Sequence, residues 1–296
     1  HRKTTINFMD AVENVSTHRG LRKGLYLIPA VFTAANAGAG FISVLASIRG
    51  FNVVAEDPIA AAGYFNYSAI AIGFALLFDM LDGRVARMTK TTTEIGVQFD
   101  SLADVLTFGI APTALMYAWA IGPTFAESSP EHALGIFLLF MYMMCGVFRL
   151  ARFNLQATRP RVIQEGTPKV DKKNFVGLPI PPAAGLLASI VHFAPAPLIT
   201  YGLTSATQYT FSMMALFAVL GVLMVSTIRY SSFKSVGTGR RNFYVVLLIA
   251  GIGMLIWLYS KYMLLILSGV YVSHGTIWQL AGMLRPRKTA ETESQS

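Results

Sequence analysis

The chain has 296 residues, of which 54% are hydrophobic and only 13% are charged, and its mean hydropathy is +0.52. This composition is too apolar for an ordinary soluble domain and indicates an integral membrane protein. The formal net charge of +9 does not indicate nucleic-acid binding, because the basic residues lie between apolar stretches, in the pattern of cytoplasmic loops. A single cysteine, Cys145, excludes an intrachain disulfide and a cysteine-based metal site.

Residues 1–29 are predicted to form a polar tail followed by an amphipathic helix at the membrane surface. On a helical wheel, three basic side chains cluster on one side and three apolar ones on the other: Arg19, Arg22 and Lys23 against Leu21, Leu25 and Ile28. Such a segment binds an anionic leaflet, and a solvated basic run before the first span is the alternative interpretation. No removable signal peptide is predicted, because this segment holds no apolar core.

Eight apolar stretches have the length of a membrane-spanning helix, about 17 to 25 residues. They lie near residues 30–48, 64–86, 99–121, 133–151, 179–198, 208–228, 243–260 and 262–281. The last two stretches also fit one long tilted helix. Lys and Arg concentrate in loops on the same side as the N-terminus, so we expect both termini to be cytoplasmic. The expected fold class is an all-α polytopic membrane protein.

Four carboxylates interrupt the second and third apolar stretches. Asp79 and Asp82 are three residues apart and Asp100 and Asp104 are four apart, so each pair shares one face of a helix. The polar residues between the stretches predict a turn, and hence an antiparallel helical hairpin. Each ionised carboxylate in a membrane costs at least about 2.5 kcal/mol, so four require compensating cations. Oxygen ligands without His or Cys favour two divalent ions, Mg²⁺ or Mn²⁺ and less specifically Ca²⁺.

The residues beside Asp82 favour an anionic ligand. Gly83 and Ala86 leave little side-chain bulk, so a large polar ligand can approach the helix backbone. Arg84 and Arg87 supply positive charge at the same end of the helix. A diphosphate satisfies both features. An ion or proton pathway is the alternative interpretation, because intramembrane acids cluster there as well.

The complete spacing of the hairpin favours the diphosphate interpretation. The pattern D-x-x-D-G-x-x-A-R, eight residues, then G-x-x-x-D-x-x-x-D resembles the signature of the CDP-alcohol phosphotransferases. Every defined position matches: Asp79, Asp82, Gly83, Ala86, Arg87, Gly96, Asp100 and Asp104. The resemblance implies a core of six transmembrane helices with a site open to the cytoplasm. It also implies a reaction in which a CDP-linked lipid and a small alcohol yield a phosphodiester lipid and CMP.

The resemblance implies distinct roles for the four acids. Asp79, Asp82 and Asp100 would hold two metal ions. Asp104 would lie beside the acceptor alcohol as the general base and would also contact metal. The physical logic agrees, since metal ions neutralise a diphosphate while a positioned carboxylate takes the proton of the attacking hydroxyl.

The resemblance also implies which residues contact the CDP-lipid. Gly83, Ala86 and Arg87 would contact the nucleotide and the diphosphate. On the first helix, Thr33 and Asn36 resemble a further family feature that contacts the same ligand. Ordinary hydrogen bonding between helices is the alternative interpretation for both of these polar residues.

Two further runs resemble the phosphatidylserine synthases of this family: C-G-V-F-R-L-A-R-F-N at 145–154 and F-V-G-L-P-I-P-P at 175–182. The resemblance implies CDP-diacylglycerol and L-serine as substrates, and glycerol 3-phosphate is the alternative acceptor. Arg149, Arg152 and Asn154 are candidates for the acceptor site, because a guanidinium pairs with a carboxylate through two hydrogen bonds. Anchoring of the helix end to lipid phosphates is the alternative role of both arginines.

Composition and the resemblance together predict four parts of the chain. Residues 1–29 are expected to be the tail and interfacial helix, 30–235 the phosphotransferase core, 236–284 about two additional transmembrane helices, and 285–296 a disordered cytoplasmic tail. The resemblance further implies a homodimer in a cytoplasmic membrane of the bacterial type, with the active site facing the cytoplasm. The expected partners are the two substrates and membrane lipids, without nucleic acid.

Overall fold

The structure is a computed structural model that describes residues 30–89, 94–158, 174–226, 229–231 and 258–284. Three predictions from the sequence lie outside these residues: the interfacial helix before residue 30, nearly all of the seventh apolar stretch and the C-terminal tail. Within the described residues the chain is almost entirely helical. The predicted all-α class is therefore confirmed.

Among the described residues, five helices are long and apolar enough to cross a membrane. They are α1, Ala30–Val53; α2, Pro58–Thr89; α3, Ile95–Thr124; α4, Pro130–Thr158; and α6, Leu203–Val225. A shorter apolar helix, α5, occupies Ile180–Phe193. The first six predicted stretches thus each form one helix, and the protein is an integral membrane protein.

α5 is shorter than the predicted fifth span, with 14 residues. Pro195 and Pro197 explain its end, because proline lacks the N–H that a helix needs and its ring clashes with the preceding turn. The chain continues as a 3₁₀ turn over Leu198–Tyr201. The Trp119 indole on α3 donates a 2.8 Å hydrogen bond to the Ala196 carbonyl between the two prolines. Because α5 is buried along most of its length and packs against α2, it is the central helix of the bundle.

α3 contains two π-helical segments, Val105–Ile110 and Tyr117–Ile121. In a π-helix each N–H bonds to the carbonyl five residues earlier, as the N–H of Ala111 does to the Leu106 carbonyl. The first segment begins directly after Asp104. Segments of this kind are frequent at functional sites, and here one follows the predicted general base.

Pro112 lies inside α3 and deprives the Phe108 carbonyl of the N–H that an α-helix would supply. The Tyr142 hydroxyl on α4 donates a 3.3 Å hydrogen bond to that carbonyl. Tyr142 is fully buried, so water cannot replace this bond. The proline in one helix is thus compensated by a tyrosine in the next.

Small residues let α1 approach its neighbours closely. A Cβ at Gly40 would lie 2.5 Å from Thr107 Oγ1 on α3, so no larger residue fits there without movement. Against α2, the hydroxyl oxygens of Ser43 and Ser47 lie 2.8 Å and 2.9 Å from the Ser68 hydroxyl oxygen. These contacts hold α1 against both helices of the carboxylate hairpin.

Two three-residue strands, which the sequence analysis does not predict, join the start of α5 to the end of α6. β1, Asn174–Val176, pairs antiparallel with β2, Arg229–Ser231. The Leu178 N–H then donates a 3.0 Å hydrogen bond to the Leu223 carbonyl. Gly177, between β1 and Leu178, has φ +83°, a conformation that favours glycine. The two helix ends are therefore fastened together through their backbones.

A seventh helix, α7, occupies Ser260–Leu284 and covers the eighth predicted stretch. It packs against α5 and approaches β2. The hydroxyl oxygens of Ser268 and Ser189 lie 2.9 Å apart across the contact between α7 and α5. α7 thus adds a further layer beside the central helix of the six-helix core.

Candidate active site

The hairpin of α2 and α3 brings three carboxylates together. Asp79, Asp100 and Asp104 each offer an oxygen, and these oxygens all lie within 4.8 Å of one another. Asp104 is buried and the other two are half-buried. Three negative charges at such distances repel one another strongly where water is excluded. The cluster therefore favours binding of a cation.

Asp82, the fourth acid of the motif, lies beside this cluster rather than within it. It is buried, and its carboxylate accepts a hydrogen bond from the Thr33 hydroxyl on α1. Its carboxylate lies within electrostatic range of Asp100. The described geometry thus groups three of the four acids and gives Asp82 a partner of its own.

Asn36 fixes the carboxylate of Asp104 from α1. Its side-chain Nδ2 donates a 3.3 Å hydrogen bond to Asp104 Oδ1. Its backbone carbonyl accepts a 3.1 Å hydrogen bond from the Thr107 hydroxyl on α3. The buried Oδ1 of Asn36 has no hydrogen-bond partner among the described residues. An unpaired buried acceptor costs about 1–3 kcal/mol, so this oxygen is available to a bound cation or donor.

The residues of the cluster fit a divalent cation. Carboxylate and amide oxygens are the ligands that Mg²⁺, Mn²⁺ and Ca²⁺ prefer, and the cluster contains no sulfur or imidazole. The repulsion among Asp79, Asp100 and Asp104 and the unpaired Asn36 oxygen both favour such an occupant. The predicted metal site therefore has suitable ligands in place.

Of the three candidates for the acceptor site, Arg149 has the surroundings that best suit binding of a carboxylate. It is buried near the end of α4, and its charge interacts with those of Asp104 and Asp79. One face of the guanidinium lies over the Phe153 ring, 5.7 Å from the ring centroid. A guanidinium held in this way can form two parallel hydrogen bonds with a carboxylate.

Arg152 and Asn154, the other two candidates for the acceptor site, have hydrogen-bond partners on neighbouring helices. Arg152 Nη1 donates a 3.2 Å hydrogen bond to the Val225 carbonyl at the end of α6. That contact satisfies one of the carbonyls that a helix end leaves unpaired. Asn154 Nδ2 donates a 2.8 Å hydrogen bond to Ser101 Oγ, next to Asp100 on α3. Both side chains thus hold α4 against neighbouring helices.

The predicted CDP-lipid contacts on α2 lie in its last turns. Gly83 follows Asp82 and is half-buried. The backbones of Ala86 and Arg87 belong to α2, whereas their side chains are outside the described part of the structure. Arg84 is exposed. Contacts of these residues with a diphosphate stay predictions.

The sequence analysis does not single out Tyr271 on α7, which lies within electrostatic range of Arg149 although the two residues are far apart along the chain. No local pattern signals this proximity, because an aromatic residue in an apolar helix is ordinary.

Comparison with protein-family models decides the family. The model described as CDP-alcohol phosphatidyltransferase matches residues 26–228. The chain belongs to this family. The match includes every residue of the carboxylate hairpin in this CDP-alcohol phosphatidyltransferase, together with Thr33, Asn36 and Arg149, and it ends before α7.

Curated relatives of this CDP-alcohol phosphatidyltransferase carry names that specify serine. The CDP-diacylglycerol–serine O-phosphatidyltransferase of Helicobacter pylori is 32% identical over 267 residues, 88% of this chain and 94% of the relative. The Bacillus subtilis protein of the same name is 31% identical over 173 residues, 58% of this chain and 79% of the relative. The archaetidylserine synthase of Methanothermobacter thermautotrophicus is 32% identical over 212 residues, 71% of this chain and 72% of the relative.

Proposed function

We propose that the protein is a phosphatidylserine synthase, which transfers the phosphatidyl group of CDP-diacylglycerol to the hydroxyl of L-serine and releases CMP. The observation that carries this proposal is the cluster of Asp79, Asp100 and Asp104 beside the buried Arg149. The names of relatives that match over most of the chain support serine as the acceptor. The product makes this a step of phospholipid synthesis.

Asp104 acts as the general base in the proposed reaction. It takes the proton of the serine hydroxyl while the serine oxygen attacks the lipid-side phosphorus of CDP-diacylglycerol. A bond forms between that oxygen and the phosphorus, and the bond to the bridging diphosphate oxygen breaks, so CMP leaves. Asn36 bonds to Oδ1 of Asp104, which keeps Oδ2 available for the proton.

Two divalent cations, Mg²⁺ or Mn²⁺ with Ca²⁺ as a further option, belong to the proposal. Asp79, Asp82, Asp100 and Asp104 would hold them, with Asp82 oriented by its hydrogen bond from Thr33. When bound, such ions neutralise the diphosphate and stabilise the CMP leaving group. Gly83, Ala86 and Arg87 would contact the nucleotide end of the same ligand.

Arg149 would bind the serine carboxylate. Its buried guanidinium lies near Asp104, so a serine held by its carboxylate would have its hydroxyl within reach of the base. Arg152 and Asn154 would support the site by holding α4 to α6 and α3. This division of roles assigns acceptor recognition to the first arginine of the pair.

We also propose how the protein is oriented in the membrane and that it forms a homodimer. The distribution of Lys and Arg supports an active site that faces the cytoplasm, with both termini on that side of a bacterial-type cytoplasmic membrane. The partners would be CDP-diacylglycerol, L-serine and membrane lipids, and the protein would act as a homodimer.

Release of CMP by the purified full chain tests the proposal. With CDP-diacylglycerol and Mg²⁺ or Mn²⁺, CMP should appear when L-serine is added and not when the divalent ion is chelated. Glycerol 3-phosphate and inositol phosphate serve as alternative acceptors in parallel reactions. CMP release with glycerol 3-phosphate and none with L-serine would replace serine as the acceptor. No release with any acceptor would revive the transporter interpretation.

A further inference from the structure

Two polar side chains of α1 bond to two different acids of the carboxylate hairpin. Thr33 donates to Asp82, which directly precedes Gly83, a proposed contact of the nucleotide end of the lipid substrate. Asn36 lies about one helical turn further along α1 and donates to Asp104, the proposed general base. One face of α1 thus follows the site from the nucleotide side to the acceptor side, and Asn36 lies at the acceptor side.

The side-chain amide of Asn36 is held in one orientation. Its Nδ2 lies 3.3 Å from Asp104 Oδ1, and its backbone carbonyl accepts a 3.1 Å hydrogen bond from Thr107. Rotation of the amide by half a turn would place its oxygen against an ionised carboxylate, and both groups only accept hydrogen bonds. The donor end of the amide is therefore committed to Asp104, and the acceptor end, Oδ1, is the part that a ligand can use.

Oδ1 of Asn36 is the one buried side-chain nitrogen or oxygen without a hydrogen-bond partner in the part of the chain that the structure describes. The residue is fully buried, so bulk water does not supply the missing partner, and an unpaired acceptor in such a place is costly. An oxygen of this kind requires a donor, and a positively charged donor forms the stronger bond. The negative charge of the neighbouring Asp104 also favours a cation.

The distances suit an acceptor that carries its hydroxyl and its amine on neighbouring carbon atoms. The two end atoms of a planar amide are about 2.2 Å apart, so Asn36 Oδ1 lies at most about 5.5 Å from the Asp104 oxygen that Nδ2 contacts. In serine the hydroxyl oxygen and the amino nitrogen are about 3 Å apart. With a hydrogen bond of about 2.8 Å at each end, this pair of groups reaches across as much as about 8.6 Å. One serine molecule can therefore bond to both residues.

We infer that Asn36 recognises the ammonium group of the acceptor, which donates a hydrogen bond to Asn36 Oδ1 while the acceptor hydroxyl faces Asp104. This inference rests on the proposed function and deepens it, because it names the feature of serine that the site selects. Each polar group of serine then has its own residue: Asp104 for the hydroxyl, Arg149 for the carboxylate and Asn36 for the ammonium. Glycerol 3-phosphate offers only a neutral hydroxyl at the corresponding carbon, and its bond to Oδ1 is weaker.

Asn36→Leu in the full chain tests the inference. Leucine has nearly the shape of asparagine but forms no hydrogen bond, so a charged donor loses its acceptor and the KM for L-serine should rise about 10- to 100-fold. The KM for CDP-diacylglycerol should change much less. The turnover number should fall, because Asp104 loses its bond from Nδ2. All constants are measured at saturating Mn²⁺, since loss of that bond also weakens metal binding.

The matched control is Ser47→Ala, at another buried polar residue of α1. The Ser47 hydroxyl bonds to the Ser43 carbonyl and to the Ser68 hydroxyl, away from the acids. This variant should keep the KM for serine, the KM for CDP-diacylglycerol and the turnover number of the unchanged protein.

3-Hydroxypropanoate isolates the contribution of the ammonium, because it differs from serine only in lacking that group. Its inhibition constant, measured by competition with L-serine in CMP release, should exceed the KM for serine about 10- to 100-fold in the unchanged protein. In Asn36→Leu the inhibition constant should stay nearly the same while the KM for serine rises toward it. Equal affinity of the unchanged protein for the two compounds would overturn the inference, whether or not the leucine variant folds.

Asn36→Asp is a second variant that keeps the acceptor oxygen and removes the donor. The preference for serine over 3-hydroxypropanoate should therefore persist in it, although turnover falls. Loss of that preference here, or its persistence in Asn36→Leu, would overturn the inference.

Two other results would assign Asn36 a different role and so overturn the inference as well. A higher KM for CDP-diacylglycerol with an unchanged KM for serine would make Asn36 a nucleotide contact. A serine affinity that more Mn²⁺ restores in Asn36→Leu would make it a metal ligand. Absence of serine-dependent CMP release from the unchanged protein would instead overturn the proposed function itself.

Discussion

Thr33 and Asn36 give the site its fixed geometry from α1, a helix that contributes no acid to the cluster. Thr33 bonds to Asp82 and Asn36 to Asp104, and all four residues are buried. Neutral donors of this kind reduce the freedom of a carboxylate without neutralising it. The acids are thus held in place while their charge stays available to cations.

Asp104→Asn separates chemistry from binding. The amide keeps the shape of the carboxylate but cannot take a proton at neutral pH, so turnover should fall about 10² to 10⁴-fold. Affinity for CDP-diacylglycerol should change much less. CMP release and equilibrium binding of the lipid substrate provide the two measurements. A collapse of lipid binding in step with turnover would make Asp104 chiefly a metal ligand.

Asp100→Ala should abolish activity and weaken divalent-ion binding, because it removes one of three clustered carboxylates. Calorimetric titration of the purified protein with Mn²⁺ measures the affinity. Glu127→Gln is the matched control, since Glu127 is exposed between α3 and α4 and outside the cluster. Equal Mn²⁺ affinity in the two variants would contradict the metal site.

Thr33→Val tests the role of the hydrogen bond to Asp82. Valine has nearly the same shape but no hydroxyl, so a buried carboxylate loses its donor. Loss of a group that orients a metal ligand typically costs about 10- to 100-fold in metal affinity or activity. Thr33→Ser keeps the hydroxyl and should stay close to the unchanged protein. The prediction is wrong if the two variants have equal activity.

At the scale of elements, the second half of α3 depends on α4 for one of its backbone hydrogen bonds. Pro112 removes a backbone donor inside the helix, and Tyr142 of α4 supplies a replacement to the Phe108 carbonyl. The sequence contains both residues, but their pairing depends on how two helices pack. Local periodicity cannot reveal such a contact.

Tyr142→Phe should therefore destabilise the bundle without touching the chemistry. The Phe108 carbonyl is left unpaired in a buried position, which costs about 1–3 kcal/mol. Unfolding in detergent at increasing temperature measures the loss. Tyr209→Phe on α6 is the control, because Tyr209 is exposed. Similar unfolding temperatures for both variants would mean that the carbonyl has another donor.

Much of the fold is predictable because span length and apolar composition are local properties. The six core helices and the hairpin of acids follow from them. Pro195 and Pro197 signal the early end of α5, but a prediction from apolar composition alone extends the helix past them. The pairing of β1 with β2 joins distant segments, so the sequence offers no local signal for it.

At the scale of the whole molecule, apolar side chains cover much of the outer surface. On α4, Phe137, Phe140 and Phe148 are each more than half exposed, as residues facing lipid are. The acids lie in the half of the hairpin where α2 ends and α3 begins. Orientation in the membrane therefore decides which compartment supplies the acceptor.

Cysteine labelling tests that orientation. In a Cys145→Ala background, Glu127→Cys should react with a membrane-impermeant maleimide in right-side-out vesicles, because its loop is predicted to be outside. Met88→Cys, at the exposed end of α2, should react only in inverted vesicles. The reverse pattern would place the active site on the outer side.

The π-helical segment after Asp104 makes α3 one residue longer than a regular α-helix over the same distance would be. A π turn holds more residues than an α turn, so Val105–Ile110 accommodates what amounts to one inserted residue. Deleting one residue there would restore an α turn while both flanking halves of α3 keep their faces. Related chains can therefore differ by a one-residue gap at this point. If an alignment placed that gap elsewhere, the residues between the two positions, Asp104 or Phe108 among them, would be compared with the wrong residues of the relative.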